Sequence, residues 1–457
     1  MSAAAWTLTA TALHAGFAAG ETTPGAALQS CLDRLAAVNP RLNAVIALDA
    51  AGAREAAAAS DARWAAGQPL GPLDGVPITV KDNLFVGGLP AGWGSRLFAG
   101  QIAPRDDIPV ARLRAAGALI IGKTNTPELS LAGHTDNLVH GATGNPWAPA
   151  LTPGGSSGGA VAAVAAGMAP LSIATDAGGS LRRPAAMAGV ATLRPGIGRV
   201  PRRWGFPPLA QDFQTIGPIA RCVADVRVAF ELMADPALPP PAWPARQRLR
   251  AVDGIPGAPM DPDVRAAFAA ALEAFAAMGH EVEIVSAPWN PDEVGALFGT
   301  LASAGVARVV TAHPGWEALV TPAIRAQAEA GLALSSADYV RAMDRIAVLR
   351  AELRDWMLAG HAVLTPAAAT MPWPKAEPFP PEVDGCKAGP RAGAIFSTVL
   401  NLAGLPAAVV PCGPGARTGL PVGLQIAGGP GSEMPLLDLA AQFEAARPWR
   451  RLAPLEG

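Results

Sequence analysis

The sequence predicts an α/β fold, with a mixed, largely parallel central β-sheet covered by helices on both faces. Two observations lead there. Short β-branched runs alternate with helical stretches along the first half of the chain, the pattern of strands joined by crossover helices. The 457 residues are 50 % hydrophobic and 16 % charged, which excludes a disordered chain and provides for a large covered interior.

The elements follow in order. Residues 1–20 are alanine-rich without a basic leading segment, and His14 interrupts them, so they read as a first helix rather than a signal peptide. Thr23-Pro24 forms an N-cap with proline at the first helical position, and Leu28, Cys31, Leu32 and Leu35 fall on one face. Ala50 to Ala66 continues as helix until Gly67 and Pro69. Gly75-Val-Pro-Ile-Thr-Val-Lys81 is a β-branched run behind a turn, which puts Lys81 at a strand's end. Strands 118–122 and 171–175 follow, with helices over 108–116 and 159–167. Pro236 to Pro244 is a proline-rich surface connection. Beyond it come a helix over 262–278, a strand over 281–285, a helix over 339–357 and strands over 407–411 and 422–426.

The near-neutral balance of 35 basic and 37 acidic side chains gives no field to attract nucleic acid or an anionic membrane. The short cluster Arg199, Arg202, Arg203 lacks interleaved aromatics and reads as a solvated turn. Cys31, Cys222, Cys386 and Cys412 lie far apart, against a zinc site or a disulfide framework, and fit buried free thiols in a reducing compartment. No run of about 18 uncharged apolar residues reads as a membrane span. The chain is expected to be cytoplasmic.

Two serine clusters carry the chemistry. Gly154-Gly155-Ser156-Ser157-Gly158-Gly159 precedes an alanine-rich helix, and its glycines permit close approach of a substrate. It also satisfies the nucleophile elbow of α/β-hydrolases, which would name Ser156 and require a downstream histidine. His280, His313 and His361 are available, but none stands in a site-like turn. The second cluster, Asp176-Ala177-Gly178-Gly179-Ser180-Leu181-Arg182, follows a strand, so the Ser180 hydroxyl projects from a turn with converging amides. Asp176 and Arg182 bracket that turn and are placed to pair across it.

These segments, with Gly75 to Asp82 and Thr152 to Gly159, make the sequence resemble the amidase signature family. Weaker matches at residues 121–125, 144–147, 217–221, 401–406 and 419–425 extend the likeness over about residues 70 to 430. The resemblance implies an amidase signature fold and a Ser–cis-Ser–Lys triad. Ser180 would be the nucleophile, Ser156 the relay behind a cis peptide bond, and Lys81 the base. The backbone amides of Ala177, Gly178, Gly179 and Ser180 would hold the oxyanion, with Ser157 in support. For this to work Lys81 must be neutral, which removal from water and the want of a carboxylate partner would achieve. Asp82 is adjacent, but neighbouring strand residues face opposite ways.

Three positions depart from the family's usual residues: the segment Gly92-Trp93-Gly94-Ser95, Gln214 and Ala177. None touches the triad, so they bear on substrate. The loop Trp204 to Leu209 follows the nucleophile segment, making Trp93, Phe206 and Leu209 candidates for the pocket wall. With no arginine evident as a carboxylate clamp, the expected substrates are small, neutral hydrophobic or aryl amides, with esters or carbamates as related carbonyl compounds. Residues 1–457 are read as one amidase domain, with a helical segment over 1–68, a signature core over 70–230 and a more variable region over 236–380. No cofactor or metal is expected. The partners expected are the small-molecule substrate and, beyond it, a second copy of the chain in a homodimer. Two other readings stand beside this one: an amidotransferase subunit that releases ammonia for transfer-RNA-dependent amidation, and a non-catalytic binding protein on the same scaffold.

Overall fold

The computed structural model describes residues 4–236 and 239–456. Ala237 and Leu238, within the proline-rich connection, and residues 1–3 of the first expected helix lie outside the described residues. The chain opens with α1 (Ala10–Ala18), α2 (Pro24–Leu42), β1 (Val45–Leu48) and α3 (Ala50–Ala65). It continues through β2 (Pro77–Lys81), α4 (Ile108–Ala115), β3 (Leu119–Thr124), α5 (Gly158–Ala165), β4 (Leu171–Asp176), α6 (Arg182–Ala188), β5 (Ala191–Arg194) and β6 (Thr215–Ala220). The middle contains α7 (Val223–Met233), β7 (Arg248–Ala251), α8 (Pro262–Ala277), β8 (Glu281–Ile284), α9 (Pro291–Val310), α10 (Pro322–Ala333), α11 (Ser336–Met357) and β9 (Ala362–Pro366). Last come β10 (Glu382–Val383) and β11 (Cys386–Lys387), then α12 (Thr398–Ala403), β12 (Ala407–Pro414), β13 (Pro421–Ala427) and α13 (Glu433–Ala446).

Eleven strands form one sheet in the order β1-β3-β2-β4-β6-β5-β12-β13-β9-β7-β8, flanked by helices. The α/β fold is mixed, as expected, but largely parallel it is not. Parallel pairing is confined to β3-β2-β4 and β9-β7-β8. The other pairings are antiparallel. The reason is in the connections. A parallel return needs a crossover, usually a helix, whereas β5 leads to β6 through a loop without an α-helix and β12 to β13 through a tight turn.

The predicted starts are physically supported. The Thr23 hydroxyl accepts the Ala26 N–H at 3.2 Å, and Pro24 occupies the first turn of α2. α5, all alanine, valine and glycine, is buried over its whole length, and only residues this small let a helix pack so close to β4 and α6. α9 is long and apolar enough to cross a membrane, yet half of it is buried against α10, α11 and α12. Cys31, Cys222 and Cys412 are buried and free, while Cys386 is exposed, because it sits on the small β10–β11 ribbon rather than in the core.

Candidate active site

β2 is buried at every position between parallel neighbours β3 and β4, so Lys81 leaves its C-terminal end inside the protein. Its Nζ lies 2.8 Å from Ser156 Oγ, 3.1 Å from Ser157 Oγ and 3.3 Å from Thr175 Oγ1. All three neighbours are hydroxyls. Burial pushes the Lys81 pKa down to about 7, against the pull of the Asp176 and Asp82 charges. Asp82 turns the other way, accepting the Gly92 and Gly94 N–H groups at 3.3 and 3.2 Å. It stands 3.8 Å from Lys123 Nζ rather than beside Lys81.

The Gly155–Ser156 peptide bond is cis. The loop around it is tied to Thr135, whose hydroxyl donates to the Gly154 carbonyl at 2.9 Å and accepts the Gly158 N–H at 3.1 Å. A Cβ on Gly155 would run into the His134 carbonyl, so only glycine fits there. Ser157 Oγ donates to the Thr175 carbonyl at 3.2 Å, joining this loop to β4.

Ser180 sits in the turn between β4 and α6, and the buried pair Asp176 and Arg182 organises that turn. Asp176 accepts the Gly179 N–H at 2.7 Å, the Leu181 N–H at 3.1 Å and Arg182 Nε at 2.9 Å. Arg182 also donates to the Ser397 carbonyl at 2.9 Å and to Gln425 Oε1 at 2.8 Å, while Asn401 Nδ2 reaches Asp176 at 2.8 Å. Burial alone would raise the Asp176 pKa, but Arg182, Arg194 and Asn401 hold it well below the usual carboxylate range. One element of the expected oxyanion site changes. The Gly179 N–H is directed at Asp176, while those of Ala177, Gly178 and Ser180 make no hydrogen bond among the described residues. The physical reason is the Asp176 carboxylate, which caps the turn by accepting the N–H three residues further on.

Ser156 and Ser180 line one narrow cavity with Thr175, Ala177, Trp93, Leu129, Leu131, Leu209, Gln214 and Phe298. Its free space of about 20 Å³ suffices for a water, so a substrate must displace a lining side chain. Trp93 and Leu209 are on this wall, but Phe206 is not. It lies behind Trp93, stacked on the indole at 4.6 Å between ring centroids, and the tryptophan screens it from the cavity. Among the described residues no histidine lines the cavity and no histidine side chain is hydrogen-bonded to either serine. His280 and His361 instead accept backbone N–H groups of Gln247 and Arg248, and His313 packs on Phe98. Sequence reasoning missed Thr175 and Asn83, whose Nδ2 donates to Thr175 Oγ1 at 2.9 Å. The available signal was a hydroxyl one place before Asp176, at the end of the strand that leads into the Ser180 turn. It also missed Arg183 and Arg391, two arginines close to the Ser180 turn.

Comparison with known proteins agrees with this architecture. Residues 26–437 match the amidase family. A glutamyl-tRNA(Gln) amidotransferase subunit of Chloroflexus aggregans is 34 % identical, with 98 % of each chain covered. Indoleacetamide hydrolase of Bradyrhizobium diazoefficiens is 36 % identical over 96 % of this chain and 86 % of its own. The crystal structure of a bacterial aryl acylamidase superposes with a TM-score of 0.88 at 26 % identity, covering 97 % of this chain and 96 % of that one. On the extent of these matches and the shared sheet, the chain belongs to the amidase family.

Proposed function

We propose that the chain hydrolyses small amides through an acyl-enzyme on Ser180, with Ser156 as proton relay and Lys81 as base. The observation that carries this reading is the all-hydroxyl surrounding of the Lys81 amine. Ser157 commits its own proton to the Thr175 carbonyl, so it accepts from Lys81, and Thr175 Oγ1 accepts a second Lys81 N–H. That leaves the amine lone pair for the closest neighbour, the Ser156 hydroxyl at 2.8 Å.

The steps balance. Ser180 Oγ attacks the amide carbon while its proton passes to Ser156 and the Ser156 proton passes to Lys81. The oxyanion takes up the free N–H groups of the turn, with Ala177, Gly178 and Ser180 as donors. Collapse returns a proton through Ser156 to the leaving nitrogen, and water then releases the acid by the same route. The apolar side chains of Trp93, Leu129, Leu131 and Leu209 support a hydrophobic or aryl group next to the scissile bond. The names of two relatives, an indoleacetamide hydrolase and an aryl acylamidase, point the same way. The single eleven-stranded sheet supports residues 1–457 as one catalytic unit.

The test is a panel of anilide, alkyl amide, ester and carbamate substrates on wild type and Ser180→Ala, with a fluorophosphonate probe in parallel. Amide turnover should fall about a thousandfold or more in the variant, and the probe should label Ser180 alone. Full residual turnover would refute the role of Ser180. A second reading has its own support, since several relatives are glutamyl-tRNA(Gln) amidotransferase subunits. Copurification with partner subunits, and amidation of charged transfer RNA by the assembly, would establish it over free hydrolysis.

A further inference from the structure

One polar side chain on the wall of the serine cavity has no part in the proton relay and keeps a hydrogen-bonding group unspent. Gln214 lies in the extended segment that leads into β6, and the next residue, Thr215, pairs with Asp176 at the start of the nucleophile turn. The sheet therefore fixes Gln214 beside that turn. Its side chain lines the cavity with Ser156 and Ser180, and on its other side lines a groove of about 350 Å³ with Arg202, Pro207, Pro208 and Gln211.

Arg202 belongs to the cluster expected on a solvated turn, yet it is turned inward on two partners. Its Nη1 donates to Gln214 Oε1 at 2.9 Å and its Nη2 to the Phe206 carbonyl, behind the Trp93 wall. Burial lowers the Arg202 pKa to about 10, which leaves it charged at neutral pH. A guanidinium only donates, so the oxygen end of the Gln214 amide must face it. Arg202 lines the groove and not the cavity, which leaves the nitrogen end for the cavity.

The Gln214 Nε2 has no hydrogen-bond partner among the described residues. The other polar side chains of the wall outside the triad are engaged. Thr175 Oγ1 accepts from Lys81 and Asn83, and Ser130 Oγ accepts Trp93 Nε1 at 3.2 Å and is bonded to Thr126 Oγ1 at 2.9 Å. A substrate that fills this narrow cavity removes water from the Nε2 donor, and a donor left bare in that way is costly. An oxygen acceptor on the substrate removes the cost. A neutral acceptor suits the place better than an ion, because the rest of the wall is leucine, tryptophan and phenylalanine.

We propose that Gln214 is a specificity-determining residue that offers an N–H donor to the substrate, and that the preferred amides are neutral ones carrying an ether or carbonyl oxygen within a few bonds of the scissile carbonyl. Arg202 is the positioning residue that keeps the amide from turning over. The inference rests on the hydrolase reading above and narrows its substrate class, the apolar wall still serving the hydrocarbon part.

The experiment uses two pairs of amides on the full chain, the members of each pair differing only by an ether oxygen in place of a methylene. They are 3-methoxypropanamide with pentanamide, and N-(2-methoxyethyl)acetamide with N-butylacetamide, which put the oxygen on the acyl and the leaving side. In wild type the ether should win in kcat/KM by about tenfold in one of the pairs, the factor that accompanies one desolvated donor paired or left bare. Gln214→Met should lower kcat/KM for that ether at least about fivefold more than for its methylene partner. Arg202→Met should shrink the preference, and Arg202→Lys, which can still donate to Oε1, should restore part of it. No preference in either pair, or equal losses on ether and methylene in Gln214→Met, overturns the assignment. Hydrolysis of pentanamide that disappears in Ser180→Ala upholds the hydrolase reading even then. If no amide is cleaved, all four are titrated calorimetrically into Ser180→Ala. Tighter binding of an ether that Gln214→Met removes supports the assignment, and equal or absent binding overturns it.

Discussion

Replacing Lys81 with methionine should abolish turnover and yet stabilise the protein, and the size of the gain should depend on pH. Burial lowers the lysine's pKa from 10.5 to about 7 in the folded chain. Between those values the unfolded state holds the extra proton, so wild-type stability rises with pH through the window and is lowest below pH 7. The shift corresponds to roughly 5 kcal/mol at full protonation, and the change between pH 7 and 9.5 to about 3 kcal/mol. Methionine is nearly isosteric and has no such proton, so its advantage is greatest at low pH and fades toward pH 10. Loss of the amine also leaves the Ser156 hydroxyl without its partner, while Ser157 keeps the Thr175 carbonyl and Thr175 keeps Asn83, and this subtracts about 1–3 kcal/mol at every pH and leaves the slope untouched. Urea unfolding of both proteins from pH 6 to 9.5 measures the difference. In the same wild-type samples kcat/KM should rise tenfold per pH unit below 7 and level off above 8. Parallel stability curves for the two proteins, or a rate plateau extending below pH 6, would refute a neutral Lys81.

Three further outcomes can be measured with the same assays. Arg182→Met strands the Asp176 carboxylate in the core, and the urea midpoint should show a loss of about 3–5 kcal/mol. Gly179→Ala puts a methyl group into Ser397 Oγ at a φ of +105°, so the soluble fraction and residual amide turnover should both fall sharply, with a cost of at least about 1–3 kcal/mol in unfolding. Trp93→Ala removes the indole stacked on Phe206. It should cost about 3–5 kcal/mol and raise KM for an anilide more than for a short alkyl amide.

The parts of the site legible in the sequence are those encoded locally. Glycines against Ser156 and Ser180 announce backbone bends, and a lysine closing a β-branched run announces a buried amine. What could not be read depends on residues distant in the chain. Arg391 stands more than two hundred positions beyond Arg183, in a loop whose sequence says nothing of its neighbour. The antiparallel half of the sheet is hidden for a different reason. β6 carries Gly217 and Pro218 in the middle of its run, residues that argue against a central strand, yet it pairs with β4 on one side and β5 on the other. The Thr192 hydroxyl donates to the Pro218 carbonyl at 2.7 Å and helps hold that irregular strand in place. Phe206 reads from the sequence as pocket wall because distance along the chain cannot distinguish the surface of a stacked aromatic pair from its back.

Lys123 tests whether burial alone makes a base. It stands on β3 opposite Val80, one register step from Lys81, and is equally buried. Its Nζ donates to the carbonyls of Leu84, Pro90 and Asp82 at 2.7, 3.1 and 3.3 Å. Carbonyl oxygens only accept, so each of the three contacts requires a proton on the nitrogen, and the charged form is the one that satisfies them all. Hydroxyls can reverse, and Lys81 has only hydroxyls. Burial lowers the Lys123 pKa to about 8, which still leaves it mostly charged at neutral pH. Lys123→Met should therefore have the opposite sign to Lys81→Met. It leaves three buried carbonyls unpaired and Asp82 without its cation, and the urea midpoint should fall by on the order of 3 kcal/mol at pH 7. A stabilising effect of that substitution would mean that burial, rather than the kind of acceptor, decides the protonation of both lysines, and the reasoning that singles out Lys81 would fail with it.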